Sequence, residues 1–184
     1  TVYDAKDNDF SFEGHRRNTT KAHLQALYNL GFKRVSFGIQ DFDPAVQKAV
    51  HRIQPADQVF NLVAVANAKG FESINADLIY GLPKQTSESF ARTLEQIVRL
   101  RPDRIALYGY AHLPERFKPQ RRIAVEDLPH PSVKLGLLSQ ALAAFQGAGY
   151  VYVGMDHFAL PGDALAVAKR QGRLHRNFQG YSTQ

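Results

Sequence analysis

The chain has no cysteine among its 184 residues. That absence removes disulfides, Cys-ligated zinc and a Cys-held iron–sulfur cluster from what these residues can build. No apolar run approaches the roughly 20 residues that span a bilayer. No basic start followed by an apolar stretch marks a secretory leader. These absences predict a cytoplasmic protein without a membrane partner. Neither G-x-G-x-x-G nor a P-loop follows the first strand-like segment, so dinucleotide and Walker-type phosphate cradles are unsupported. The nucleophile elbow G-x-S-x-G is missing too. The seven histidines form neither His-x-His nor His-x₃-His.

What is present is globular: 44% hydrophobic and 22% charged residues, at a length that suits one domain. The net charge is +6. A basic domain can serve nucleic acid or a polyanionic small molecule. The basic residues do not interleave with aromatics along one helix. Their densest cluster is Arg116, Lys118, Arg121 and Arg122, in a proline-containing loop, which favours a small polyanion and no nucleic acid. The chain starts at Thr1 and stops at Gln184 without a tail, so both ends read as cut from something longer.

Strands are predicted at Phe10–Glu13, Arg34–Gln40, Ser73–Tyr80, Arg104–Tyr110 and Tyr150–Met155. Helices are predicted at Thr19–Leu30, Pro44–Ala49 with Asp43 as cap, Pro55–Lys69, Ser87–Leu100 and Pro131–Ala148. Three helix exits repeat Gly then aromatic: Gly31-Phe32, Gly70-Phe71 and Gly149-Tyr150. Alternating strands and helices call for a parallel sheet with right-handed crossovers, and hence an α/β fold.

In such folds ligands bind at the carboxyl ends of the strands. Reading those ends yields Glu13, Gln40-Asp41, Asp77 with Tyr80, Tyr108, Tyr110 and His112, then Asp156-His157. Asp77 stands out, because an unpaired carboxylate inside an apolar strand is costly. It is either paired within the protein or aimed at a ligand. Gly38, Gly81, Gly109 and Gly154, near the same ends, serve either close backbone approach or plain turns. Arg52, after the short 44–49 helix, either faces solvent or folds over the rim near Gln40. Tyr80, Tyr108 and Tyr110 either edge the core or form a wall for a planar ligand. His112, His157, Asp77 and Asp156 could serve a metal-dependent barrel hydrolase, though their spacing does not favour it.

Six segments together carry a resemblance: Ser-Phe-Glu-Gly-His (11–15), Val-Ser-Phe-Gly-Ile-Gln-Asp-Phe (35–42), Asp-Leu-Ile-Tyr-Gly-Leu-Pro-Lys-Gln (77–85), Tyr-Ala-His-Leu-Pro (110–114), Gly-Met-Asp-His-Phe-Ala (154–159) and His-Arg-Asn-Phe-Gln-Gly-Tyr (175–181). In order and spacing the chain resembles the oxygen-independent coproporphyrinogen III oxidases, which are radical S-adenosylmethionine enzymes of haem synthesis. The resemblance implies a partial β/α barrel filling residues 1–184, with about strands three to six of six. It makes about 160–184 the start of the segment leading to a further C-terminal domain. It implies S-adenosylmethionine at two sites, Glu13 touching one and Gln40, Arg52, Asp77 and the backbone of Ala111 the other, which turns Arg52 to the rim. It implies oxidative decarboxylation of two propionates of coproporphyrinogen III to vinyl groups, each losing a hydrogen atom, carbon dioxide and an electron. His112, Arg116, Arg121, Arg122 and His157 become candidate carboxylate contacts, and flavodoxin or ferredoxin a candidate electron donor. One departure is plain: the family's Cys-x-x-x-Cys-x-x-Cys, which holds a 4Fe–4S cluster, is absent. This predicts a fragment inactive by itself. The remaining alternative within the superfamily is a non-catalytic haem-binding relative.

Overall fold

The computed structural model describes residues 10–14, 19–177 and 180–182. Among them is a six-stranded sheet. Four strands run parallel and in sequence: β1 (Phe10–Gly14), β2 (Phe32–Gln40), β3 (Ser73–Tyr80) and β4 (Arg104–Gly109). Between them lie α1 (Lys21–Asn29), α2 (Pro44–Ala49), α3 (Ala56–Lys69) and α4 (Ser87–Leu100). Two 3-10 turns at Lys118–Arg122 and Val125–Asp127 precede α5 (Pro131–Gly147). Helices α1 and α3 to α5 lie on one face of the sheet. The sheet is open, with strand order β1-β2-β3-β4-β6-β5.

Local chemistry sets these boundaries. Thr20 accepts from His23 N while the His23 ring returns a bond to Thr20 N, and Thr86 and Ser89 repeat the arrangement at α4. Asp43 accepts from Ala45 N and Val46 N ahead of Pro44. Gly70 ends α3 at φ +90°, where a side chain is disfavoured. Strand alternation then sorts the faces. Val35, Phe37, Ile39, Ile74, Ala76, Leu78, Ile105 and Leu107 are buried against Leu24, Val59, Val63, Phe90, Leu94, Ile97, Leu137 and Phe145 of the helices. The intervening positions, Glu13, Ser36, Gly38, Asn75, Asp77 and Tyr108, belong to the opposite face, which is polar.

The fifth strand departs from expectation. β5 (Val151–Gly154) does not pair with β4. A short β6 (His157–Ala159) lies between them, antiparallel to both. The reversal is made at Gly154 (φ +142°) and Met155 (φ +48°), which turn the chain back on itself. Asp156 lies in the turn that follows β5, while His157 begins the returning strand and stands level with Ala106 of β4. After it, α6 (Ala164–Arg170) closes the β5 end of the polar face by packing Leu165 and Ala166 on Val153 and Ala159. A two-stranded ribbon, β7 (His175–Asn177) with β8 (Gly180–Ser182), follows. The expectations for His15, Phe178 and Gln179 in the quoted motifs fall outside the described residues. Among the described residues no helix is long and apolar enough to cross a membrane.

Candidate functional site

The polar face carries a cavity of about 580 Å³ lined by Phe12, Glu13, Ser36, Gln40, Asn75, Asp77, Ile79 and Tyr108. It brings together Glu13, Gln40 and Asp77, three of the residues singled out from strand position, each delivered by a different strand. Asp77 is not unpaired. Its Oδ2 accepts from Ser36 Oγ at 2.8 Å and its Oδ1 from Asn75 Nδ2 at 2.7 Å, and Asn75 Nδ2 also reaches Ser36 Oγ at 2.8 Å. Burial pushes the Asp77 carboxyl above its ordinary range, the two hydrogen bonds oppose that, the charge of Glu13 adds to it and His157 opposes it. Each carboxylate oxygen keeps a further lone pair for a ligand.

A second cavity, about 290 Å³, adjoins the first through shared Gln40 and Ile79. Its polar lining is Gln40, His51, Arg52, Tyr110 and Gln120, set in apolar walls of Val50, Leu82 and Ile123. Arg52 folds over the end of β2: its Nη2 donates to the Gly38 carbonyl at 2.6 Å. Gly38 leaves room for both side chains: a Cβ there would sit 2.7 Å from Arg52 Nη2 and 3.0 Å from Gln40 Nε2. The register of β2 against β3 shifts between Gly38 and Gln40, and Gln40 adopts φ +69°. Such a bulge re-aims the side chain that follows it. Gln40 Oε1 is buried with no hydrogen-bond partner among the described residues. A buried acceptor left without a donor costs free energy, which a ligand donor would recover.

Below Asp77 the same face continues into a cavity of about 270 Å³ that includes Arg34, Ser36, Asn75, Arg104, Tyr108, His157 and Tyr181. The His157 ring meets Tyr108 and Tyr181 edge to face, with centroids 6.4 and 5.6 Å away. Burial holds the imidazole below its ordinary range, with Asp156 and Asp77 pulling the other way. Burial also raises Tyr108, reinforced by Asp77, Asp156 and Glu13. Arg104 Nε donates to both oxygens of Asp163 at 2.9 and 2.8 Å.

Other expected residues lie elsewhere. Asp41, read as a rim group, is 1% exposed and serves the scaffold. It accepts from Thr93 Oγ1 at 2.7 Å, Asp43 N at 2.6 Å and Gln85 Nε2 at 2.5 Å. Tyr80 and Tyr110 do not join Tyr108 in the first cavity; Tyr110 lines the second, and its hydroxyl lies 3.1 Å from His112 Nδ1. Arg121 turns its Nε back to the Pro114 carbonyl at 2.9 Å. Arg122 lines a separate basin with Lys48, His51, Lys84 and Asp127, while Arg116 is exposed. No group of three or more His, Asp or Glu among the described residues is placed to hold a metal ion, so the hydrolase set of Asp77, His112, Asp156 and His157 is not assembled. The strand-end reading missed Ser36 and Asn75. Their signal was the two-residue period of Ser36-x-Gly38 and Asn75-x-Asp77, small or polar residues alternating with buried apolar ones.

Residues 6–97 match the Radical SAM superfamily. Over 99% of its length the chain is 51% identical to the oxygen-independent coproporphyrinogen III oxidase of Pseudomonas aeruginosa, and over 97% it is 50% identical to that of Escherichia coli. It spans 40% and 39% of those two relatives. The solved structure of coproporphyrinogen III oxidase from Escherichia coli, described as a radical SAM enzyme, superposes with a TM-score of 0.94 at 50% identity, covering 97% of this chain and 41% of that one. An archaeal Elp3 from Methanocaldococcus infernus shares the fold alone, at TM-score 0.59 and 14% identity over 72% of this chain and 32% of its own. The open, mostly parallel sheet and nearly full-length similarity agree: this chain belongs to the radical SAM superfamily and within it is similar to the oxygen-independent coproporphyrinogen III oxidases.

Proposed function

We propose that these residues form the S-adenosylmethionine-binding core of an enzyme that decarboxylates coproporphyrinogen III to protoporphyrinogen IX without oxygen. The observation that carries this is the convergence of Glu13, Gln40, Arg52 and Asp77 around two adjoining cavities, with Gln40 Oε1 buried and awaiting a donor. S-adenosylmethionine fits such a surface: it is cationic at its sulfonium and ammonium, and the first cavity is acidic. Glu13 would hold one molecule. Gln40, Arg52, Asp77 and the Ala111 backbone would hold a second, with Asp77 accepting from the ribose diol and Arg52 donating to the methionine carboxylate. A 4Fe–4S cluster does not fit these 184 residues, which contain no thiolate, so its ligands belong to other parts of the enzyme.

When bound, S-adenosylmethionine supplies the radical chemistry that removes a hydrogen atom from a substrate propionate. The chain's own residues bind, orient and shield. Tyr108 and Ile79 wall the space above Asp77. Burial favours the neutral form of His157, which can offer a hydrogen bond. The tetra-anionic substrate suits the basic 116–122 loop, with His112, Arg116, Arg121, Arg122 and His157 as carboxylate contacts. An electron-donor protein such as a flavodoxin or ferredoxin, and a cytoplasmic setting, belong to the same proposal.

The test is the full-length protein containing these residues, reconstituted anaerobically with iron and sulfide. Expected are conversion of coproporphyrinogen III with release of carbon dioxide, and its loss in Asp77→Ala and Arg52→Ala. Tight haem binding without decarboxylation overturns the proposal in favour of a haem-binding relative. A 4Fe–4S absorbance from residues 1–184 alone overturns the assignment of the cluster to other residues.

A further inference from the structure

Residues Tyr110 to Leu113 have no regular secondary structure, yet two long side chains from elsewhere hold their backbone. Tyr110 N donates to the Tyr80 carbonyl at 2.9 Å, continuing the strand pairing for one step. Beyond that, Lys134 of α5 donates from Nζ to the Tyr110 carbonyl at 2.6 Å. Gln120, from the first 3-10 turn, donates from Nε2 to the Ala111 carbonyl at 3.0 Å and accepts from Leu113 N at its Oε1 at 2.5 Å. A single amide thus binds the main chain on both sides of His112, which a carboxylate cannot do because it has no donor.

Both clamps are built in. The Lys134 stem crosses Gly81 so closely that a Cβ there would lie 2.8 Å from its Cε, and its ammonium sits 5.7 Å from the Tyr80 ring centroid. Gln120 itself lines the second cavity, together with Gln40, Arg52 and Tyr110. Immobilising two long, flexible side chains is entropically unfavourable. Among the described residues both polar ends hydrogen-bond main-chain atoms of one short segment beside the second cavity.

We infer that Gln120 and Lys134 are positioning residues, a pair of clamps that hold the 110–113 main chain in the conformation that receives the second S-adenosylmethionine at Ala111. The inference rests on the proposed two-site function and adds residues that the family resemblance did not supply.

The measurement is equilibrium dialysis of S-adenosylmethionine into the full-length reconstituted protein. Unaltered protein binds two equivalents. Gln120→Ala and Lys134→Met, the latter keeping the stem over Gly81, weaken the second equivalent by about tenfold or more and leave the first unchanged. Gln120→Glu, which keeps the acceptor for Leu113 N but cannot donate to Ala111, weakens it as well. Lys134→Arg, which keeps a donor, restores most of the affinity. Melting temperatures separate clamping from scaffolding: equal loss at both sites with a lowered melting temperature overturns the inference, as does unchanged binding. One equivalent in the unaltered protein overturns the two-site reading itself, a result visible before any variant is made.

Discussion

Arg52 reaches across Gly38: the guanidinium Nη2 bonds the Gly38 carbonyl at 2.6 Å, over a strand position with no side chain. Gly38→Ala puts a methyl group 2.7 Å from that nitrogen and 3.0 Å from Gln40 Nε2. Both obstructing atoms are ends of flexible side chains, so they move aside at a stability cost below about 1 kcal/mol. The displaced groups are the ones proposed to hold the second S-adenosylmethionine. The expected outcome is near-normal urea unfolding with binding at that site weakened about tenfold. A stability loss of several kcal/mol with intact binding would contradict it.

Asp77 predicts an inverted pH dependence. Its folded-state proton is held to higher pH than the ordinary value of 3.8. Between that value and the folded one, the folded protein binds more protons than the unfolded chain, so stability falls as pH rises through the window. Above the window the cost is constant. Asp77→Asn removes it, and the variant is more stable than its parent at pH 7. The difference closes as pH falls below 3.8. Denaturant titrations at several pH values measure this directly, and a parent that gains stability from pH 4 to 7 relative to the variant would refute it.

Asp41 supplies the contrasting case. Thr93→Val removes a hydroxyl that donates to Asp41 Oδ1 at 2.7 Å and accepts from Phe42 N at 3.2 Å. The isosteric valine leaves a buried carboxylate short of one donor, and the expected loss is about 1–3 kcal/mol of unfolding free energy. Pairing it with Asp41→Asn should recover part of that loss, because the remaining group is then neutral. Chemical denaturation of the two single variants and the double variant gives the coupling.

The parts legible in the sequence were those written locally. The cap at Asp43 and the glycine stop at Gly70 set helix limits through residues a few positions apart. Strands β2 to β4 were visible because apolar alternation is a property of one segment. The β5–β6 reversal was not: Tyr150–Met155 reads as one strand, and nothing local says that the chain turns back after Gly154 and pairs antiparallel. The partners of Asp77 and Asp41 were equally hidden: Ser36 and Gln85 lie 41 and 44 positions away and meet them only once β2 and β3 pair. A carboxylate near a strand end looked the same in both cases, and only folding separated the cavity-lining one from the scaffold. Gln120 was masked by the arginines around it.

Gln85 makes four hydrogen bonds through one amide: it accepts from Gly81 N and Leu82 N and donates to Asp41 Oδ2 and the Ile79 carbonyl. Glutamate at that position would oppose the Asp41 carboxylate, and a shorter amide would not reach both strands. The consequence is evolutionary. Positions 41 and 85 are coupled, so a survey of related sequences is expected to find their identities changing together, a covariation signal between two residues that line neither cavity.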